Sequence, residues 1–171
     1  MVTHRVDALD ALFVGLSVLG SLGAVWIVVG LFLTVRWRRP RVVLLVMAGV
    51  LTADLLALAA KLLFGRARPY VDQPLPEPLV TTPLDLSFPS GHAATAFAGA
   101  TLIAATLPRL AVPLYLLAGA VAWSRVYVGV HYPLDVFLGA VLGIAVGVTF
   151  LALERNRSHR SGSEDVYPLD R

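Results

Sequence analysis

Long stretches without charged side chains constrain the fold of this chain more than any other feature of its sequence. Residues 11–35 form a run of 25 positions without a charge, and residues 42–64 carry only Asp54 and Lys61. Three further apolar stretches follow, at 90–107, 110–128 and 133–153. About 20 apolar residues are enough to cross the hydrocarbon core of a bilayer as a helix. The pattern therefore predicts an all-α fold, a polytopic transmembrane helical bundle with about five spans.

The composition supports a membrane protein and excludes several kinds of site. Apolar residues make up 57% of the 171 positions, and the mean hydropathy of +0.77 is far above that of soluble domains. The chain has no cysteine, which excludes disulfides, thiolate metal sites and cysteine nucleophiles. The formal net charge of +3 comes from short basic clusters beside the apolar stretches. Membrane topology explains such clusters, so no nucleic-acid partner is expected.

Breaks in the apolar pattern divide the chain into three parts. Residues 1–41 comprise a first span and a basic cytoplasmic loop, 42–153 a helical bundle, and 154–171 a polar tail that we expect to be frayed. The first apolar run is too long for the core of a signal peptide and lacks a small-residue cleavage site, so we interpret it as a retained span. Residues 65–89 hold six of the eleven prolines and predict an extended surface loop.

The order of the spans places most of the polar groups at one end of the bundle. The ends of spans two and four and the starts of spans three and five must share a membrane face. That face collects Lys61, Arg66, Arg68, Ser90, His92, Arg125 and His131, and the other holds Arg36, Arg38, Arg39, Arg41, Arg109, Arg155, Arg157 and Arg160. Because basic residues near span ends favour the cytoplasm, we expect the first face, with any active site on it, to be extracytoplasmic. The N-terminus would then lie outside the cell membrane and the C-terminus inside.

Three segments on the first face carry groups suited to binding a tetrahedral oxyanion. They are Lys61 to Pro69, Pro89 to His92, and Ser124 to Asp135. Arginine and lysine side chains and the free N–H groups of a helix N-terminus bind phosphate oxygens. A transferring phosphoryl group needs this positive charge around its equatorial oxygens. The three segments together therefore predict a phosphate cradle.

Two histidines could supply the remaining groups of a phosphoryl transfer, a nucleophile and an acid for the leaving group. They are His92 and His131, and Asp135 lies four residues after His131. If a helix starts near Pro133, the Asp135 carboxylate can reach one imidazole nitrogen and fix the tautomer. The alternative is a capped turn with a structural His–Asp hydrogen bond, and this segment alone leaves both interpretations open.

The three segments also form a pattern that resembles the type-2 phosphatidic acid phosphatase superfamily. The pattern is a lysine, six residues and Arg-Pro, then Pro-Ser-Gly-His, then Ser-Arg, five residues, His, three residues and Asp, within roughly residues 42–153. The resemblance implies a metal-independent phosphatase that needs no cofactor and acts through a phosphohistidine. His131 would attack phosphorus, Asp135 would orient it, and His92 would protonate the leaving oxygen and later activate water. The implied phosphate-binding residues are Lys61, Arg68, Ser90, Gly91 and Arg125.

Charged residues outside these motifs have simpler interpretations. Asp72, Glu77 and Asp85 are scattered through the proline-rich loop, where we expect them to be solvated, so no metal site is predicted. Asp54 lies about two helical turns before the motif lysine, too far for a direct pair, and we expect it to hydrogen-bond to a neighbouring helix. Arg66 is expected to be an accessory group that faces phosphate or lipid.

These observations favour an integral membrane phosphatase that hydrolyses a lipid phosphate or diphosphate at the outer face. A polyprenyl diphosphate or a phosphatidate-like lipid is the expected substrate, with a slight preference for the former. Membrane lipids are the expected partners, and the sequence leaves the oligomeric state open. An anion transporter or channel with an arginine-lined path is the alternative, although the charges gather at one face. The vanadate-dependent haloperoxidases share the phosphate-site pattern, but they are soluble.

Overall fold

The computed structural model describes residues 6–37, 40–72 and 76–164 of the chain. Every regular element in these ranges is helical, as predicted. Arg38, Arg39 and the side chain of Arg160 lie outside the described part. The helices are α1 (Asp7–Leu19), α2 (Ala24–Trp37), α3 (Pro40–Phe64), α4 (Pro69–Asp72), α5 (Gly91–Thr106), α6 (Ala111–Tyr127) and α7 (Pro133–Glu164), with short 3-10 turns at Ser21–Gly23 and Pro108–Leu110.

Helix α5 lies at the centre of the bundle and packs against α3, α6 and α7. Its buried positions are mostly alanine, glycine and threonine, whose small side chains let neighbouring backbones approach closely. Three glycines of α7 at intervals of four residues face it. A Cβ atom at Gly139 would lie 2.5 Å from the Ser90 carbonyl oxygen, and one at Gly147 would lie 2.7 Å from Cβ of Thr101. Gly143 similarly leaves room for the Ala94 carbonyl group, so no larger residue fits this contact.

The first apolar run is not a single helix, contrary to the sequence-based prediction. It breaks after Leu19 into α1 and α2, so that α1 packs on α6 and α2 packs on α3. Two glycines explain the break. Gly23 has a φ angle of 66°, in the left-handed region that glycine tolerates best. A Cβ atom at Gly20 would collide with the side chain of Val121 in α6.

Within the described residues, three segments are long and apolar enough to cross a membrane, by length and composition. They are Pro40–Asp72, Pro108–Tyr127 and Pro133–Arg157, as expected of a membrane protein. Helix α5 matches the predicted third stretch in position, but at 16 residues it falls below the usual length of a spanning helix. Helices α1 and α2 have 13 and 14 residues. The count of five spans therefore stays a prediction.

Helix α7 extends further toward the C-terminus than the sequence suggests. We expected a frayed polar segment from Glu154, but α7 continues without interruption to Glu164. Arginine and glutamate are good helix formers, and no proline interrupts the segment before Pro168. The helix that starts beside the third motif thus extends beyond the apolar part of the bundle.

Candidate active site

The three motif segments meet around one cavity of about 250 Å³. Six of the eight residues predicted for the site line it, namely Lys61, Arg68, Gly91, His92, Arg125 and His131. The other two, Ser90 and Asp135, are fully buried behind the cavity wall. The cavity wall also includes Asp54, Asp85 and Thr95. These side chains come from the C-terminal parts of α3 and α6, the segments on either side of α4, the start of α5 and the turn before α7.

His131 lies in the short turn between α6 and α7, with 3% of its surface exposed. Its Nε2 atom is 3.3 Å from Nη1 of Arg68. A guanidinium can only donate, so Nε2 is the acceptor and the proton of the neutral ring lies on Nδ1. Burial lowers the pKa of His131 to about 4, and the positive charges of Arg68 and Arg125 add to this shift while Asp135 opposes it. The imidazole is therefore neutral at neutral pH, with a lone pair on the nitrogen at the cavity.

Asp135 lies behind His131, as the four-residue spacing predicts, but the two side chains are not in direct hydrogen-bond contact. The Oδ2 atom of Asp135 is 3.7 Å from Nδ1 of His131. The hydroxyl of Ser87 donates to Oδ2 at 2.5 Å and lies 3.5 Å from Nδ1. The backbone N–H of Tyr132 also donates to Oδ2, at 2.9 Å. Ser87 was not predicted, and its one sequence signal is a polar side chain just before the Pro-Ser-Gly-His motif.

His92 occupies the first turn of α5 and also lines the cavity. Its Nε2 atom is buried and has no hydrogen-bond partner among the described residues. Leaving such an atom unpaired costs free energy unless something else binds there. A protonatable nitrogen without a partner in an oxyanion cavity can exchange a proton with a bound molecule.

Ser90 and Gly91 shape the start of α5. The Ser90 hydroxyl accepts a hydrogen bond from the N–H of Ala93 at 3.5 Å, so it caps the helix. The free amides of this helix end and its dipole favour an anion nearby. Gly91 leaves space at the cavity wall, since a Cβ atom there would lie 3.2 Å from Oδ1 of Asp54. The phosphate-binding role of Ser90 and Gly91 stays a prediction.

Asp85 is part of the site, which the sequence did not predict, and its side chain is 44% exposed. Its carboxylate forms ion pairs with Lys61 and, at 2.5 Å, with Nη2 of Arg68. The Asp85 carbonyl oxygen also accepts from Nε of Arg68, at 2.7 Å. Burial alone would raise the pKa of Asp85, but Lys61 and Arg68 lower it further than burial raises it. Asp85 thus ties the segment before α5 to Lys61 at the end of α3 and to Arg68.

Arg125 differs from the other two cations in the cavity. It has no carboxylate partner within the described ranges, and its Nη1 donates to the hydroxyl of Ser17 in α1. Its Nε atom is buried and has no partner in the same ranges. The guanidinium therefore keeps N–H groups free for an anion.

Arg66 and Asp54 are placed differently from the prediction. The Nη1 atom of Arg66 donates to Oδ1 of Asp135 at 2.7 Å, and its guanidinium lies 4.2 Å above the ring of Tyr132. It supports Asp135 from outside the cavity. Asp54 lines the cavity, and no hydrogen bond joins it to a neighbouring helix in the described part of the chain. Asp72, the last residue of α4, accepts a hydrogen bond from the Tyr132 hydroxyl at 2.8 Å.

The chain is similar in sequence and in fold to known proteins. Residues 42–158 match the model of the PAP2 superfamily. The chain is 39% identical over 138 residues to decaprenylphosphoryl-5-phosphoribose phosphatase of Mycobacterium tuberculosis, covering 78% of this chain and 73% of that protein. It is 33% identical over 152 residues to undecaprenyl-diphosphatase of Sulfolobus acidocaldarius, covering 88% and 72%. The crystal structure of Aquifex aeolicus LpxE superposes with a TM-score of 0.76 at 33% identity, covering 86% of this chain and 88% of that one.

Proposed function

The chain belongs to the PAP2 superfamily, and on that premise we propose that it is a membrane phosphatase that cleaves a polyprenyl-linked phosphate or diphosphate through a phosphohistidine at His131. The observation that carries the proposal is the pair of imidazole nitrogens at one cavity. Nε2 of His131 holds a lone pair beside Arg68, and Nε2 of His92 has no partner among the described residues. One group suits nucleophilic attack, and the other suits proton transfer.

In the first step, Nε2 of His131 forms a bond to phosphorus as the bond from phosphorus to the lipid oxygen breaks. His92 donates its proton to that oxygen, so the lipid leaves as an alcohol, or as a monophosphate when the substrate is a diphosphate. Arg68 shifts from Nε2 to a phosphoryl oxygen, and Lys61 and Arg125 bind the others. These cations stabilise the charge that the transition state spreads over its equatorial oxygens.

In the second step, water attacks phosphorus and the bond to Nε2 breaks. His92, now neutral, accepts a proton from the water, and orthophosphate leaves. Ser87 and Asp135 stabilise the positive charge that His131 gains while it carries the phosphoryl group. These side chains supply every group that the two steps need, so we expect catalysis without a metal ion.

The names of the similar proteins favour a substrate with a polyprenyl tail. Two of the proteins similar to this chain are named for decaprenyl and undecaprenyl substrates. A cavity at the ends of apolar helices suits a lipid whose tail remains in the bilayer while its phosphate reaches the site. We further propose that this end of the bundle faces the extracytoplasmic side, with the N-terminus out and the C-terminus in.

The experiment is a phosphate-release panel with the full chain purified in detergent, in the presence of EDTA. The substrates are a polyprenyl diphosphate, a phosphoribosyl polyprenyl phosphate, phosphatidate and phosphatidylglycerophosphate, and a His131→Ala preparation measures contaminating phosphatase. We expect the highest kcat/KM for one of the two polyprenyl lipids. Equal rates on all four would contradict the tail preference. Activity that EDTA abolishes and Mg²⁺ restores would contradict the metal-independent mechanism.

The same preparation tests the alternative of an anion transporter or channel. Reconstituted into liposomes, the protein should release phosphate from lipid without raising the flux of free phosphate across the bilayer. Flux without hydrolysis would contradict the proposed function.

A further inference from the structure

The first helix reaches the cavity through one face. Asp10, Phe13 and Ser17 follow one another at intervals of three and four residues, so they lie on the same side of α1. The Tyr127 hydroxyl in α6 donates to Oδ1 of Asp10 at 2.7 Å, and the rings of Phe13 and Tyr127 lie 4.3 Å apart between centroids. These contacts fix the register of α1 on α6 more specifically than a membrane anchor requires.

Ser17 lies one turn further along this face, at the side chain of Arg125. Ser17 is buried, with 1% of its surface exposed, and its hydroxyl accepts a hydrogen bond from Nη1 of Arg125. Gly20 continues the face and approaches the catalytic histidine, since a Cβ atom there would lie 3.4 Å from Cδ2 of His92. All of α1 precedes residues 42–158, the part of the chain that the family model matches.

The hydrogen bond from Arg125 to Ser17 matters because few other contacts of the described residues fix the Arg125 side chain. Lys61 and Arg68 pair with Asp85, whereas Arg125 has no carboxylate partner within the described residues. A guanidinium has five N–H donors in a fixed plane, so holding one donor sets the direction of the others. Without the Ser17 oxygen, the buried Nη1 would lose its partner and the side chain would turn to find another.

We propose that Ser17 is a positioning residue that orients the Arg125 guanidinium toward the phosphoryl oxygens. The inference rests on the proposed function, because it takes Arg125 as a group that binds the transferring phosphate. It gives the N-terminal helix a role in catalysis. Helix α1, which precedes the residues that the family model matches, thus completes the oxyanion site.

The experiment compares Ser17→Ala, Ser17→Thr and a matched control, Ser21→Ala, in the full chain in detergent. Ser21 is exposed, and among the described residues its hydroxyl donates only to the Ser17 carbonyl oxygen, at 3.4 Å. The measurements are the dissociation constant of orthovanadate, by calorimetry, and kcat and KM for p-nitrophenyl phosphate. For Ser17→Ala we expect the dissociation constant of orthovanadate to rise about tenfold and kcat to fall about tenfold, because hydrogen bonds to charged groups are among the stronger ones. Ser17→Thr keeps a hydroxyl and should recover most of both, and Ser21→Ala should match the wild type.

A double-mutant cycle separates positioning from a general loss of structure. In an Arg125→Lys background, Ser17→Ala should have almost no further effect on orthovanadate affinity, because the two residues act as a unit. Additive losses would overturn the inference. Should Ser17→Ala fail to fold, Ser17→Cys replaces it, since it keeps the size but accepts hydrogen bonds weakly. Wild-type orthovanadate affinity in Ser17→Cys would also overturn the inference.

The same data distinguish this inference from the proposed function. A wild-type protein that neither binds orthovanadate nor hydrolyses p-nitrophenyl phosphate contradicts both. A wild-type protein that does both, with an unaffected Ser17→Ala variant, contradicts the role of Ser17 alone.

Discussion

Asp135 Oδ2 lies 3.7 Å from Nδ1 of His131, and the hydroxyl of Ser87 is within hydrogen-bond distance of both. The hydroxyl donates to the carboxylate at 2.5 Å, so its oxygen is free to accept the Nδ1 proton of the imidazole. The carboxylate thus acts on the histidine partly through a serine. Such a link fixes the tautomer that leaves the Nε2 lone pair at the cavity.

The Ser87 link predicts a measurable loss in Ser87→Ala. The variant removes the acceptor for the Nδ1 proton, so His131 should be less well oriented and kcat should fall by about tenfold, equivalent to about 1.4 kcal/mol of transition-state stabilisation. Ser87→Thr should retain most of the rate. Thr82→Ala, at an exposed position of the same loop, is the control for both. A wild-type kcat in Ser87→Ala would mean that Asp135 orients the ring without the serine.

If Lys61 and Arg68 bind the phosphate as proposed, Asp85 competes with the substrate for them, and Asp85→Asn should bind anions more tightly. The asparagine keeps the size of the side chain but removes the charge that a phosphate must displace. Because the Asp85 side chain is 44% exposed, solvent weakens its ion pairs and the gain should be modest. We expect the inhibition constant of orthovanadate to fall by about threefold to tenfold.

The control for this prediction is Asp72→Asn. Asp72 is an exposed carboxylate on the same side of the bundle that accepts from Tyr132 and does not line the cavity. Its replacement should leave the inhibition constant unchanged. Weaker inhibition in Asp85→Asn would mean that Asp85 holds the two cations in place and does not compete with the substrate.

Lys61 is the only lysine in a chain with 14 basic residues, and its shape should matter. Lys61→Arg keeps the charge but replaces a compact ammonium with a larger planar group in a cavity of about 250 Å³. We expect kcat to fall by at least about tenfold, or about 1.4 kcal/mol. Arg66→Lys should be much milder, because Arg66 lies outside the cavity and is 37% exposed. Small and equal effects would show that the lysine has no specific role.

The proposed orientation can be checked because the chain has no native cysteine. Leu84, at the cavity end, and Arg109, between α5 and α6, are both exposed. A cysteine at position 84 should react with a membrane-impermeant thiol reagent in intact cells. One at position 109 should react only after permeabilisation. The opposite labelling pattern would place the cavity in the cytoplasm.

The placement of the motif residues could be predicted from the sequence because they lie at the ends of apolar stretches. The order of the stretches fixes which ends share a face, and a helix that starts near Pro133 brings Asp135 behind His131. The start of α7 at Pro133 followed from a local rule. That six of these residues line one cavity is consistent with this reasoning.

The supporting residues could not be predicted because they depend on contacts between distant parts of the chain. Ser17 is 108 positions from Arg125, and Ser87 is 48 positions from Asp135. We expected Asp85 to be solvated because its loop is rich in proline, but ion pairs to two cations hold it at the cavity. The break between α1 and α2 was not predicted, because it depends on where a neighbouring helix requires a glycine. An uninterrupted apolar run gives no local signal of such a contact.

The central claim is that His131 carries the phosphoryl group and His92 transfers protons. It is tested most directly by single-turnover hydrolysis of ³²P-labelled p-nitrophenyl phosphate by the His92→Ala and His131→Ala variants. Nitrophenolate leaves without protonation, so the first step should proceed in His92→Ala while the second lacks its base. We expect a burst of nitrophenol with acid-labile ³²P retained on the His92→Ala protein, and neither signal in His131→Ala. Retained ³²P in His131→Ala, or in neither variant, would contradict the phosphohistidine mechanism.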